Sequence, residues 1–229
     1  MKVRLVGYTQ PTEEFAQEGM KDVQDLISFC ARVSNPSNQM NMETTEKLLS
    51  YLAKHKHWSP FEMASATLEI ETTRDIARQI LRHRSFAFQE FSQRYADPTQ
   101  DLAFVLREAR FQDLKNRQNS IEIDLTSDEG RRLAYGWEQM QKRVIEEAKN
   151  AYKWAVEHGI AKEQARAVLP EGNTVSRLYM QGTIRSWIHF IELRSGNGTQ
   201  KENIEVAKAC AEAIVGIFPL TASFISKNS

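Results

Sequence analysis

The chain is poor in the features that mark several common classes of protein. It has only two cysteines, Cys30 and Cys210, which lie far apart, so it carries neither a disulfide framework nor a zinc-binding spacing. Its 30 basic and 30 acidic residues balance, so the overall charge demands no polyanionic partner such as nucleic acid. It has no apolar run long enough to span a bilayer. We therefore expect a protein that binds neither nucleic acid nor a membrane.

The N-terminal residues and the cysteines bear on location. No long apolar segment precedes a small-residue cleavage site, so we expect no signal peptide. We interpret Cys30 and Cys210 as reduced core residues of a cytoplasmic protein, although Cys30 could in principle be a nucleophile. The segment from His55 to His57 could suggest a metal site. No cysteine or carboxylate stands at metal-ligand spacing from it, so we predict no metal.

Hydrophobic periodicity predicts an α+β fold, and the absence of repeats or linkers predicts a single domain over 1–229. The predicted sheet is mixed or antiparallel. Extended segments are predicted at 2–8, 64–72, 86–90 and 174–181, and helices at 21–32, 44–56, 73–84, 161–168, 183–194 and 200–217. Alternation within 64–72 places Ala66, Leu68 and Ile70 inward. Residues 97–125 are less patterned and predict a loop.

The strongest helical pattern runs from about 127 to 158. Thr126 and Glu129 have the spacing of a capping box at its start. Apolar residues follow at intervals of three and four: Leu133, Trp137, Met140, Val144, Ala148, Ala151 and Ala155. We interpret Trp137, and also Trp154, as core residues of this helix, and Trp187 further along the chain as core as well.

The densest group of cations lies between residues 74 and 94. It comprises Arg74, Arg78, Arg82, His83, Arg84 and Arg94. Guanidinium groups in such a cluster can bind phosphate or carboxylate through forked, charge-assisted hydrogen bonds. Neutral and acidic groups follow at Glu90, Ser92 and Gln93, which would suit the sugar and base of a nucleotide. From the residues alone, a solvated charged face is an equally good interpretation.

The order of these residues resembles the signature of the flavin-dependent thymidylate synthases, in which an Arg-His-Arg triplet is followed, after seven intervening residues, by a serine and two positions further by an arginine. Three further elements stand in the same order as in that family. They are His57-Trp58-Ser59-Pro60-Phe61-Glu62, Ala165-Arg166-Ala167-Val168-Leu169-Pro170 and Arg185-Ser186-Trp187-Ile188-His189-Phe190-Ile191-Glu192-Leu193-Arg194. Together the four elements extend over residues 57–194, more than half of the chain.

The resemblance implies a reaction and a set of partners. Deoxyuridylate (dUMP) would receive a one-carbon unit from 5,10-methylenetetrahydrofolate to give dTMP, a precursor for DNA. FAD, reduced by NADPH, would supply the hydride, while the protein binds and orients the reactants. The family assembles as a homotetramer whose active sites are shared between subunits. The chain has no GxGxxG segment, so the flavin would not be held on a turn of that type.

The resemblance also implies roles for individual residues. FAD would contact Ser59, Arg82, His83, Arg84, Glu90, Arg185 and His189. The dUMP site would comprise Gln79, Arg82, Glu90, Ser92, Gln93, Arg94, Arg166 and Arg194. Arg194 would be catalytic, because a guanidinium beside N3 of the uracil ring stabilises negative charge there and makes C5 more nucleophilic.

Three of these residues have alternative interpretations. Arg194 could simply interact with the carbonyl groups at the end of its helix. Ser92 could be a nucleophile, but no partner base is identifiable, so we favour a hydrogen-bonding ligand. His57 could be a site residue, but we favour a satisfied structural histidine.

The chain departs from the family pattern at several positions. Many relatives have other residues where this chain has Met63, Ala87, Gln89, Thr183 and His189. These differences bear mainly on the flavin contacts. Two competing hypotheses follow from the residues: a nucleotide- or RNA-binding module that uses the cationic cluster, and a flavoprotein oxidoreductase that has lost methyl transfer.

Overall fold

An antiparallel sheet forms the centre of the computed structural model, which describes residues 1–196 and 198–225. Its strands are β1 (Lys2–Tyr8), β2 (Ser65–Thr73), β3 (Ala87–Glu90) and β6 (Val175–Thr183), in the order β1-β2-β6-β3. A separate hairpin pairs β4 (Arg110–Gln112) with β5 (Ser120–Glu122). Every pairing is antiparallel, which confirms the α+β prediction and settles the alternative of a mixed sheet.

Helices surround this sheet. They are α1 (Glu13–Gln17), α2 (Val23–Ala31), α3 (Thr45–Lys54), α4 (Arg74–Ile80), α5 (Pro98–Asp101), α6 (Asp128–Glu157), α7 (Lys162–Ala165), α8 (Ile184–Arg194) and α9 (Lys201–Val215). Short 3-10 helices occur at Pro36–Asn38, Ser59–Glu62, Arg166–Val168 and Pro219–Phe224. No helix within 1–196 and 198–225 combines the length and apolar character needed to cross a membrane.

The alternation in β2 has the predicted consequence. Ala66, Leu68 and Ile70 are buried, and β2 pairs with β6 along its whole length, from Ser65↔Thr183 to Thr73↔Val175. Each of these two strands leads directly into a helix: β2 into α4 and β6 into α8. The two helices therefore start at opposite ends of the same pair of strands.

Trp187 is fully buried, as predicted. Its indole N–H donates to the carbonyl of Ala66 at 3.0 Å, and its ring lies 4.8 Å from Phe86, edge to face. Phe190 packs on both rings. This aromatic cluster packs α8 against the sheet, close to the predicted site residues of that helix.

The prediction that Trp137 and Trp154 are core residues is wrong for the isolated chain. Their side chains are 45% and 57% exposed, and Met140 and Val144 on the same helix are 56% and 54% exposed. The chain's own contacts cover only part of α6, chiefly near Tyr152 and Ala155, where α7 and the 3-10 helix after it pack. The apolar periodicity predicted the helix correctly. It did not predict burial, because burial depends on whether another part of the protein packs against that face of the helix.

The predicted capping box is also wrong. Ser127, rather than Thr126, is the N-cap of α6, and its hydroxyl accepts from the backbone N–H of Gly130 at 3.0 Å. The hydroxyl of Thr126 donates instead to the carboxylate of Asp124 at 2.6 Å. Threonine and serine are both favourable N-cap residues, so the residue types alone do not determine which of the two caps α6.

Lys56 has a backbone φ of 59°, a left-handed conformation that is unfavourable for a residue with a Cβ atom. We expect Lys56→Gly to raise the free energy of unfolding of the flavin-free protein by up to about 1 kcal/mol. Lys142→Gly, in the interior of α6, is the control and should lower it by about 0.5–1 kcal/mol. Denaturant titration measures both, and a destabilised Lys56→Gly variant would contradict the prediction.

Candidate active site

Arg194 and His83 meet at the centre of the predicted site. Arg194 is the last residue of α8, and its Nε–H donates to Nε2 of His83 at 2.8 Å. His83 follows α4, which ends at Ile80 instead of continuing to residue 84 as predicted, so the triplet from Arg82 to Arg84 lies outside the helix. The structure thus joins the Arg-His-Arg triplet to the family element at residues 185–194.

Burial and charge both act on this pair. Burial lowers the pKa of His83 to about 4, and the positive charge of Arg194 and the neighbouring His189 add to the effect. Burial also lowers the pKa of Arg194, with the charge of Arg82 as the second cause. His83 is therefore neutral at pH 7, while the guanidinium, with its very high intrinsic pKa, remains a cation.

The pKa of His83 predicts a pH effect on stability. An unfolded histidine has a pKa near 6.5, so between pH 6.5 and 4 the unfolded chain binds a proton that the folded chain does not. Stability should fall as pH decreases through that interval and should be unaffected by His83 above it. Thermal unfolding of the wild type and His83→Phe across pH 4–7.5 measures this, and equal slopes in the two proteins would contradict it.

Gln79 is held by two amides that sequence reasoning missed. Its Nε2 donates to Oε1 of Gln200, and its Oε1 accepts from Nδ2 of Asn203, both at 2.9 Å. Gln200 in turn donates to Glu202 at 2.9 Å. The carboxylate can only accept, so this chain of hydrogen bonds fixes the orientation of the Gln79 amide. No motif marks Gln200, the N-cap residue of α9, or Asn203 within that helix.

Arg94 and Arg166 lie together through a residue that the sequence did not single out. The guanidinium of Arg94 pairs with the carboxylate of Glu163 at 3.2 Å, and Nε of Arg166 donates to the backbone carbonyl of Glu163 at 3.3 Å. Both arginines thus contact the same residue, Glu163. Beside Arg94, Gln93 is only 3% exposed, and its Nε2 has no hydrogen-bond partner among the described residues. Such an unsatisfied buried donor favours a ligand.

Glu90 and Ser92 are placed by neighbouring strands and turns. The hydroxyl of Ser176 donates to Glu90 at 2.7 Å, and Arg74 approaches the same carboxylate at 3.5 Å. Oγ of Ser92 accepts from the backbone N–H of Arg94 at 3.4 Å, which leaves its hydroxyl hydrogen free for a ligand. No described histidine, lysine or carboxylate hydrogen-bonds to Ser92. This agrees with the prediction that Ser92 binds the substrate through a hydrogen bond and does not act as a nucleophile.

Arg185 and His189 line a second part of the surface, a cavity of about 530 Å³ beside α8. Arg185 forms an ion pair with Glu62, which belongs to the 3-10 helix that begins at the exposed Ser59. The cavity wall also includes Lys56, Trp58, Ile188, Glu192 and Phe224. Lys56, Trp58 and Phe224 were not predicted as site residues: Lys56 was predicted to end the helix at 44–56, Trp58 lies in a family element but has no role there, and no pattern marks Phe224.

The positions that depart from the family pattern have visible roles or exposure. The hydroxyl of Thr183 caps α8 by accepting from the N–H of Ser186 at 3.2 Å. Met63 is 51% exposed, and Ala87 and Gln89 lie on exposed positions of β3.

His57 is exposed, and its ring centre lies 6.3 Å from that of Tyr51, so nothing in its contacts assigns it to the site. Arg84 is exposed too.

The fold and the site define an α+β protein in which a neutral imidazole and a guanidinium are joined beside further basic side chains. Comparison with known proteins gives the family. The profile of the family described as "Thymidylate synthase complementing protein" matches residues 17–220. The chain belongs to the flavin-dependent thymidylate synthases.

Individual relatives support this assignment. A probable flavin-dependent thymidylate synthase of Paramecium bursaria Chlorella virus 1 is 48% identical over 96% of both chains. A flavin-dependent thymidylate synthase of Synechocystis sp. is 47% identical and covers 97% of this chain and 98% of its own. Among solved structures, the UMP/dUMP methylase PolB of Streptomyces cacaoi, bound with 5-Br dUMP, matches with a TM-score of 0.76 and 25% identity, over 97% of this chain and 93% of its own.

Proposed function

We propose that this enzyme converts dUMP to dTMP, with 5,10-methylenetetrahydrofolate as carbon donor and FAD, reduced by NADPH, as hydride carrier. The observation that carries the proposal is the hydrogen bond between Arg194 and His83, which places a cation next to the Arg-His-Arg segment. Membership of the family and the dUMP analogue bound by a protein of the same fold are consistent with it.

Two groups of residues account for binding of dUMP. Arg94 and Arg166, held together by Glu163, suit the phosphate, because guanidinium groups bind phosphate oxygens through paired hydrogen bonds. The free amide N–H groups of Gln93 and the hydroxyl of Ser92 supply neutral donors next to Arg94. Gln79, fixed by Asn203, offers a defined amide to the base or sugar.

Arg194 carries the chemical role. A guanidinium next to N3 and its carbonyl neighbours stabilises negative charge on the uracil ring, which increases the electron density at C5. The partial burial of Arg194 strengthens this interaction, since water screens it less. C5 can then attack the one-carbon unit of the folate.

The cavity beside α8 fits FAD. Three basic side chains, Lys56, Arg185 and His189, suit its diphosphate, and the aromatic side chains of Trp58 and Phe224 suit its planar ring systems. Arg82, His83 and Arg84 would hold the flavin from the other side, with Ser59 and Glu90. When bound and reduced, FAD supplies the hydride that completes the methyl group.

The proposal includes a homotetramer with shared active sites. The exposed apolar side chains of α6 offer the contact surface. We define this surface, the α6 ridge, as Leu133, Trp137, Met140, Val144 and Ala151.

A single domain over 1–229 and a cytoplasmic location belong to the same proposal. The free thiols of Cys30 and Cys210 suit a reducing compartment.

The test is a product assay with dUMP, methylenetetrahydrofolate, NADPH and FAD. We expect a yellow protein that releases tritium from [5-³H]dUMP and forms dTMP only when all components are present. NADPH oxidation without dTMP would instead identify an oxidoreductase that lacks methyl transfer. A colourless protein that binds nucleic acid with steep salt dependence would contradict the proposal outright.

A further inference from the structure

His83 meets Arg194 through a specific pair of nitrogen atoms. Nε–H of Arg194 donates to Nε2 of His83 at 2.8 Å, across 111 positions of sequence. Because Nε2 accepts this hydrogen, the imidazole is neutral and carries its own proton on Nδ1. The hydrogen bond uses one of the five N–H groups of the guanidinium. Among the described residues, the two terminal nitrogens of Arg194 have no protein partner.

The ring of His83 is held in one orientation by its surroundings. It packs edge to face on Phe190 with ring centres 5.0 Å apart, and Phe86 lies 6.5 Å away in a similar geometry. The backbone is fixed too: the N–H of His83 donates to the carbonyl of Ile80 at 3.0 Å, and its carbonyl accepts from Phe86 at 3.3 Å. A rigid acceptor of this kind can orient a flexible arginine.

We propose that His83 is a positioning residue for Arg194: it accepts Nε–H and so fixes the plane of the guanidinium while both terminal nitrogens remain available to a ligand. A long arginine side chain otherwise samples many rotamers, and ordering it in advance lowers the cost of reaching the reactive geometry. The terminal nitrogens then form a preset fork for the N–C=O edge of a pyrimidine. This inference rests on the proposed role of Arg194. The Nδ1–H of His83 remains available to the cofactor, so the two roles of His83 are compatible.

The charges around the ring support the acceptor role. Arg194, Arg82 and His189 are all basic, and burial together with the charges of Arg194 and His189 disfavours a protonated imidazole. A protonated His83 would have no acceptor and would repel Arg194. The neutral form is therefore the one that binds the guanidinium.

The test is a double-mutant cycle between His83→Phe and Arg194→Ala, measured at saturating FAD and dUMP. His83→Phe keeps an aromatic ring against Phe190 but removes the acceptor. We expect it to lower kcat by about 10- to 100-fold, with a small change in the KM for dUMP. In the Arg194→Ala background the same change should have little further effect on kcat. His83→Gln, which restores an acceptor oxygen, should recover part of the loss.

Two results would overturn the inference. The first is that the losses of His83→Phe and Arg194→Ala multiply, because His83 would then act independently of Arg194. The second comes from NMR of ¹⁵N-histidine-labelled protein, which needs no activity: the ring of His83 should show an unprotonated Nε2 whose shift changes in Arg194→Ala. An unchanged shift contradicts the hydrogen bond even if the wild type makes dTMP. Absence of dTMP from the wild type, with the shift change present, would contradict only the proposed function.

Discussion

Arg194→Ala is expected to lower kcat for dTMP formation by roughly 10²–10³-fold, the range found when a preorganised donor to a developing charge is removed. Arg194 is partly buried, faces no acidic partner among the described residues, and is held by His83. These features suit a cation that acts on a ligand rather than one that stabilises the fold. Flavin absorption should remain, since the cavity beside α8 does not include Arg194.

Tritium release from [5-³H]dUMP and quantified dTMP measure this effect. Arg132→Ala, an exposed arginine on α6, is the matched control and should keep wild-type turnover. Arg194→Lys retains the charge but lacks the planar fork, so its kcat should lie between those of the alanine variant and the wild type. Unchanged turnover in Arg194→Ala would remove Arg194 from the mechanism.

The second large effect concerns the α6 ridge. Met140→Glu places a carboxylate in the middle of an apolar surface that we propose is covered in the tetramer. Burying an unpaired charge there is highly unfavourable, so we expect the tetramer to dissociate and dTMP formation to fall to near background. Light scattering after size-exclusion chromatography measures the mass, and the product assay measures the activity.

A matched control lies on the same helix. Lys153→Glu also introduces a carboxylate on α6, but its side chain is 74% exposed and lies on the opposite face from the ridge. It should leave both mass and activity unchanged. A Met140→Glu variant that remains a tetramer would show that the ridge is not an interface. A wild-type monomer that forms dTMP would contradict shared active sites.

Local patterns predicted most of the elements. The alternation of Ala66, Leu68 and Ile70 identified β2, and the helical periods around Trp187 identified α8, because one face of each element is buried within the chain itself. Motif order predicted the site residues because each element is continuous in sequence. The Ser127 cap and the end of α4 at Ile80 escaped prediction, since they depend on small differences between neighbouring residues.

Contacts between distant elements escaped prediction altogether. Glu163 joins Arg94 to Arg166, and Asn203 holds Gln79 from a position 124 residues away, without any motif to mark either residue. The exposure of Trp137 shows a different limit. An apolar stripe predicts that something covers it, but the sequence does not say whether that is the same chain or another copy.

The lengths of α4 and α8 set the distance between the two halves of the site. Their strands pair antiparallel over about 30 Å, and the helices start from opposite ends, spanning about 10 Å for α4 and about 16 Å for α8. Both helices pack on β6, and Arg194 at the end of α8 donates to His83, which follows the end of α4. One residue added to α8 would move Arg194 by about 1.5 Å and rotate it by about 100°. Each helix thus acts as a spacer of fixed length between its strand and the site.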